Sequence, residues 1–481
     1  MTDSAAPASA VPAPDSTPSS RLTRCLHPFA LALAATMTFI INIAPWVNRD
    51  LGSKGELFFS PFDLLAPVGC AVLLFISRRR VLEIVRRFPV ALAAYLVLCA
   101  LSFIAAVQTG DQGIRALIGP FGKKAVLNIG LFLVAGPLLW ALLADGGRRL
   151  TPYALTALAA AGIVIVPAYI QYFRLAGIPA GTEIIDSAFP FDVGGLMENW
   201  NRLGMLLALV LPFALSSAAS PCGSTTSDWI RRIGSGALFI LGIGVLLKGG
   251  ALAAAVIGCG LTIALLDENR DRALAAGLLA AGILFAALLP RNNIGTAIAS
   301  VGSMRQHPTE TDAYGNAVHL NGERARRLMR VGVAVTARPL TGYGVGQYDA
   351  HIIKRSTDYD PDAAYYKGSR QTHDRRWWGI ETNEKNDFGL YEAVAVETGL
   401  PGVICLVLAF LAWIARGIKA LPSIAPADRW LLIGAVGALA SVAVAAVYLD
   451  PLTRGVGAWL SLAIGVIAAS GASAESQPLS R

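Results

Sequence analysis

GERARRLMRVGVAVTARPLTGYGVGQYDAHI occupies residues 322–352, and NEKNDFGLYEAVAVETGLPGVICLVLAFL occupies residues 383–411. They open and close the most informative part of a polar stretch, 291–397, in a chain that is otherwise strongly apolar. No other segment stays polar for so long or gathers so many groups able to do chemistry. The remainder reads as a membrane frame that holds this loop in place.

With 481 residues, 54% hydrophobic and 15% charged, and a mean hydropathy of +0.55, the chain is too apolar for an ordinary soluble protein. A helix crosses a hydrocarbon core of about 30 Å with about 20 apolar residues, and such segments recur. We therefore expect an all-α polytopic membrane protein with about twelve transmembrane helices. They fall near 28–47, 61–77, 88–107, 124–144, 151–172, 202–219, 233–247, 249–266, 272–290, 399–415, 430–449 and 454–470. The plan is then a tail over 1–27, spans one to nine over 28–290, and the large loop over 291–397. Spans ten to twelve follow over 398–470, with a second tail over 471–481. Residues 1–24 are rich in Ala, Pro, Ser and Thr, a composition that buries no core. That tail is too long, and too uncharged at its start, for a signal peptide.

The net charge of +8 does not point to nucleic acid, because much of it sits in short loops between apolar segments. Arg78, Arg79, Arg80, Arg86 and Arg87 form one group; Arg148 and Arg149, Arg231 and Arg232, and Arg270 and Arg272 form three more. Arg416, Lys419 and Arg429 complete the set, and alternate threading puts all five loops on one side. The positive-inside rule makes that side, and both termini, cytoplasmic, and sends 291–397 outside the inner membrane. Arg115, Lys123, Lys124, Arg202, Lys248 and Arg454 fall at the outer helix ends instead. Such cations either snorkel to headgroups or form an anion cradle through charge-assisted hydrogen bonds. No internal repeat is evident, Asp63 is near a span end, and no acid is expected mid-helix. Ion-coupled transporters use such acids and repeats, so the pattern weighs against one.

Within the loop, Arg324, Arg326, Arg327 and Arg330 run with Leu328, Val331 and Val335 at helical spacing. That helix should end before Arg338-Pro339, because the residue preceding proline avoids helical geometry. On its own it reads as an amphipathic helix on anionic headgroups. Gly342, Gly344 and Gly346 then suit a tight turn bringing backbone close to a ligand or the membrane. Residues 358–362, DYDPD, read as a solvated acidic turn. Ala363 and Ser369 stand where a calcium loop needs Gly and Glu. Trp377-Trp378 suit interfacial anchoring or stacking on sugar rings. His307, His319, His351 and His373 make no HExxH. All six cysteines (Cys25, Cys70, Cys99, Cys222, Cys259, Cys405) lie outside the loop, so no disulfide braces it. Neither a metal nor another cofactor is expected.

GER followed by PLTGYGVG, with Arg324 fifteen residues before Pro339, resembles the large-loop signature of bacterial O-antigen ligases and O-antigen or exopolysaccharide polymerases. VAVETGLPGVICLVL is similar to the segment in which the same family leads from its loop into the next span. MENWNRLGMLLALVLPFAL is similar to its Asn-rich approach to a mid-chain helix. The match covers roughly 195–415.

The resemblance implies a C-type glycosyltransferase fold without a nucleotide-sugar site. It also implies transfer of glycan from an undecaprenyl diphosphate carrier to an acceptor hydroxyl without metal. Fixed cations would then stabilise the charge on the leaving diphosphate. By the family's pattern Arg324 takes that role, Lys248 stands nearly in register with its second arginine, and Arg202 and Arg115 are further diphosphate-binding candidates. The family's histidine position holds Phe388 without gaps, or Lys385 if one helical turn is inserted. Glu384, Asp387 and Lys385 are the resulting catalytic candidates on the acceptor side. The partners implied are the lipid-linked glycan, an acceptor glycan or lipid, membrane lipids and polysaccharide assembly proteins, with no nucleic acid. Ligase and polymerase stay open, as does a non-catalytic transporter or assembly component for the same glycans.

Overall fold

The computed structural model describes residues 77–108, 128–145, 149–175, 200–221, 225–246, 249–289, 309–311, 317–319, 331–348, 389–452 and 454–475, with the isolated residues 71, 75 and 328. They form helices α1 (Arg78–Val85), α2 (Val90–Gln108), α3 (Gly136–Asp145, entered through a π-helical turn Gly130–Ala135) and α4 (Thr151–Leu175). Next come α5 (Trp200–Ala219), α6 (Thr226–Gly244), α7 (Gly249–Leu265) and α8 (Asn269–Leu288). After the polar stretch follow α9 (Leu390–Ala420), α10 (Pro426–Ala445) and α11 (Arg454–Glu475). The polar stretch contributes two short antiparallel strands, β1 (Thr309–Thr311) and β2 (Ala317–His319), with Glu310 opposite Val318. A wholly helical chain was expected, so this ribbon is a departure. It lies in the polar loop, where no apolar periodicity signals it.

Every expected span from 88–107 onward coincides with a helix, but among the described residues the helices able to cross a membrane fall well short of the ten expected there. Among the described residues four helices are long and apolar enough to cross a membrane: Thr151–Ile170, Asn269–Leu288, Leu390–Ser423 and Pro426–Ala445. A fifth is added if α1 and α2, bent by 107° at their junction, make one span. Pro89 accounts for that bend, since its ring excludes helical geometry at Phe88 and it has no N–H to donate. The apolar runs Gly130–Asp145, Leu203–Ala219, Ala251–Leu265 and Val456–Ser470 are shorter, and α6 carries Asp228, Arg231 and Arg232 near its start. The expected spans 28–47 and most of 61–77 lie outside the described residues, as do the first tail and residues 476–481, while 471–475, expected in the second tail, continue α11.

A helix hydrophobic all round belongs at the centre of a bundle, and α5 is buried on every face from Leu203 to Ala219. α10 packs along α5 and α7 through small residues that let backbones approach. Gly434 faces Phe213 and Ser216 of α5, and Gly437 faces Gly258 and Thr262 of α7. α11 fits α3 similarly, with Gly465 against Trp140, while Ser461 Oγ donates to the Phe132 carbonyl at 2.9 Å.

One end of the bundle gathers the arginine-bearing loops. Arg80 is 3.8 Å from Asp145, and Thr151 donates to Asp428 at 2.9 Å. Arg429 pairs with Asp267, and Arg231 sits 5.6 Å over the Trp430 ring. These contacts link all five loops that the alternation of helices groups together. The opposite end holds the site.

Candidate functional site

α9 is a 31-residue helix with one residue out of helical geometry, Gly399, at φ 76° and ψ −177°. Pro401 follows two residues later and has no N–H. Upstream, Thr398 Oγ1 bonds back to the Val394 carbonyl at 2.9 Å, a contact that bends helices. A regular helix would have Leu400 donate to Val396 and residue 401 donate to Glu397. The break therefore frees two carbonyls and one N–H. Inside a membrane each such orphan costs several kcal/mol, roughly, unless something else pairs it.

The polar loop supplies the partners. Residues 331–337 are helical and stop at Arg338-Pro339, where the preceding-proline rule places the end. The chain then turns through Gly342, Gly344 and Gly346, all at positive φ. Tyr343 N–H donates to the Val396 carbonyl at 2.9 Å, and Gly344 N–H to the Glu397 carbonyl at 2.9 Å. In return Leu400 N–H donates to the Pro339 carbonyl at 2.8 Å. Ser102 Oγ on α2 adds a second donor to the Glu397 carbonyl at 2.6 Å. The turn has thus taken the place of a missing piece of helical ladder.

Two glycines make this approach possible. At Gly342 (φ 62°) a Cβ would collide with the Glu397 carbonyl. At Gly399 it would sit 2.6 Å from the Pro339 carbonyl oxygen. Both positions also need the left-handed conformation that glycine adopts without penalty. Apolar packing reinforces the join, because Val331, Ala334 and Tyr348 of the loop bury against Ala393 and Val396 of α9, with Val335 and Tyr343 alongside. The helix expected to lie on headgroups therefore turns its apolar face to α9.

The N-terminus of α9 is itself capped by α10. Leu390 N–H donates to the Leu449 carbonyl at 3.2 Å, and Tyr391 N–H to Ala446 at 3.2 Å. Orphan donors at one helix start thus meet orphan acceptors at another helix end. Tyr391 Oη adds a bond to Ala443 at 3.0 Å. This docking lets α9 begin at Leu390, inside the stretch read as loop.

That early start overturns one expectation. Glu397, read as the last loop residue, lies within the candidate span Leu390–Ser423 and is only 8% exposed. Its carboxylate is within electrostatic reach of Tyr95 and Cys99 on α2. Apart from Asp63 near a span end, no acid was expected within a span, and Glu397 was placed in the loop because the apolar run that marks this span begins only after it.

Beside the interlock is a cleft of about 390 Å³ lined by Ser102 and Ala105 of α2 and by residues 337–343. Arg338 is its one charged side chain, held with its guanidinium 4.6 Å from the Tyr343 ring centroid. Ser102, Arg338 and Tyr343 were not singled out from sequence. The only signal was a serine in an apolar run and an arginine before a proline.

Of the residues chosen from sequence, Arg115, Lys248, Arg324, Glu384, Lys385 and Asp387 lie outside the described residues. Arg202 sits in the first turn of α5, with its side chain also outside them. The acidic turn at 358–362, Trp377-Trp378 and the catalytic cluster therefore have no described geometry. Among the described residues no three His, Cys, Asp or Glu are grouped to hold a metal. Cys99, Cys259 and Cys405 are free thiols. Comparison with known proteins finds no matching family model and no matching curated protein.

Proposed function

We propose that the chain is a metal-independent membrane glycosyltransferase of the O-antigen ligase or polymerase kind. It passes glycan from an undecaprenyl diphosphate donor to an acceptor hydroxyl at the outer face of the inner membrane. One observation supports this reading above others. The two motifs that carry the resemblance, PLTGYGVG and VETGLPG, are far apart in sequence yet joined by three backbone hydrogen bonds. Pro339, fifteen residues after Arg324 in sequence, is thereby tied to a candidate membrane-spanning helix. In this reading Arg324, with Lys248, Arg202 and Arg115, neutralises the leaving diphosphate. Glu384 or Asp387 serves the acceptor hydroxyl, and Lys385 adds a cation for the donor. Both termini are cytoplasmic in this reading, whereas the four or five candidate spans among the described residues do not make the C-type arrangement that the resemblance implies.

The buried Glu397 favours a second reading, a transporter or assembly component, because ionisable groups inside spans commonly mark transport paths. Purified protein in vesicles with a synthetic undecaprenyl diphosphate oligosaccharide and an acceptor separates the two. Glycosyl transfer should proceed with EDTA present. Arg324→Ala should slow it roughly 30- to 1,000-fold, the loss of about 2–4 kcal/mol of transition-state stabilisation. Donor movement across the vesicle without any transfer would replace the first reading with the second.

A further inference from the structure

We infer that the cleft beneath Arg338 binds the phosphate of an anionic glycerophospholipid drawn from the surrounding bilayer. The inference is independent of glycosyl transfer and starts from the outer surfaces of α2 and α9. On α2, Val97, Leu101 and Ile104 are exposed at spacings of four and three. On α9, Leu400, Ile404, Leu408 and Leu411 are exposed at spacings of four, four and three. Each set is one helical face, and the two helices pack together. Leu340, 70% exposed, continues the apolar surface at the turn. In a spanning helix such rows face acyl chains.

The cleft adjoins these surfaces at Ala105, next to Ile104, and at Leu340, and its lining mixes apolar and polar groups. Ser102 and Ala105 form its α2 wall, and Arg338, Thr341 and Tyr343 its loop wall. At about 390 Å³ the space is large enough for a glycerol phosphate. Stacking on Tyr343 occupies one face of the Arg338 guanidinium and leaves its edge donors free. Those donors match two phosphate oxygens in a bidentate pair. Among the described residues no carboxylate pairs with Arg338. The buried acid Glu397 keeps company with Cys99 and Tyr95, one and two turns back along α2 from Ser102.

Charge selects the kind of lipid. One guanidinium balances the single charge of a phosphodiester, whereas a diphosphate would bring more negative charge than the lining offsets. A bilayer phospholipid therefore fits this cleft better than an isoprenoid diphosphate carrier.

The test uses the full chain with a photoreactive benzoylphenylalanine at Leu340, reconstituted in phosphatidylcholine vesicles. These contain a trace of radiolabelled phosphatidylglycerol or phosphatidylcholine with matched acyl chains. Phosphatidylglycerol should be captured about fivefold more than phosphatidylcholine, the preference one basic residue at a membrane surface confers. Arg338→Gln should abolish the preference, and Arg338→Lys should keep part of it. Millimolar inorganic phosphate should not compete. Equal capture of the two lipids, or a preference that survives Arg338→Gln, would overturn the site. Displacement by inorganic phosphate would overturn it in favour of a free anion, and selective displacement by undecaprenyl diphosphate in favour of the donor.

Discussion

The two ends of the bundle are tied in opposite ways. At the arginine-rich end, loops meet through side chains: Arg80 with Asp145, Thr151 with Asp428, Arg429 with Asp267. At the other, the loop meets α9 through main chain, with Tyr343 and Gly344 donating to Val396 and Glu397 and Leu400 donating to Pro339. Side-chain ties near water are replaceable, because water solvates each partner almost as well. Backbone ties at a break inside a span are not, because lipid offers no water to pair the freed groups, and among the described residues Ser102 alone adds a second donor, to Glu397. The difference shows where the chain tolerates change and where its glycines and proline are committed.

The strongest test of that contrast is Gly342→Val. It adds a side chain against the Glu397 carbonyl at a residue held at φ 62°. Strain and overpacking together should cost about 3–5 kcal/mol. Little of the variant should survive as folded, protease-resistant protein after detergent extraction. Wild-type resistance would mean that the turn does not need this close approach.

Ser102→Ala sharpens the comparison, because it removes one of two donors to a carbonyl that Gly344 still serves. It should cost about 1 kcal/mol, read as a small fall in the thermal midpoint in detergent. A loss as large as that of Gly342→Val would show that α2, rather than the loop, holds the break together.

Smaller still is the effect expected at the other end. Asp267 is more than half exposed in its pair with Arg429, so Asp267→Asn should cost about 0.2–1 kcal/mol. The difference from wild type should vanish in 1 M salt, where screening acts within about 3 Å. Arg80→Gln, at a pair 3.8 Å apart, should change the midpoint least. A large, salt-insensitive loss at either site would erase the distinction between the two ends.

Sequence alone determined where apolar segments lie, because lipid demands long runs without charge and each run past residue 88 became a helix. It also placed the stop before Pro339 and the tight turn at Gly342, since both follow from local backbone sterics. Tertiary structure decided what those features are for. Hydropathy could not show that Glu397 is buried in a span, because α9 gains its first turns from α10 carbonyls and from the loop. Nor could it show that GYGVG completes the ladder broken at Gly399, since that pairing joins residues more than fifty apart. Periodicity reports the solvent each residue needs. Which orphan carbonyl meets which distant N–H is settled only when the helices pack.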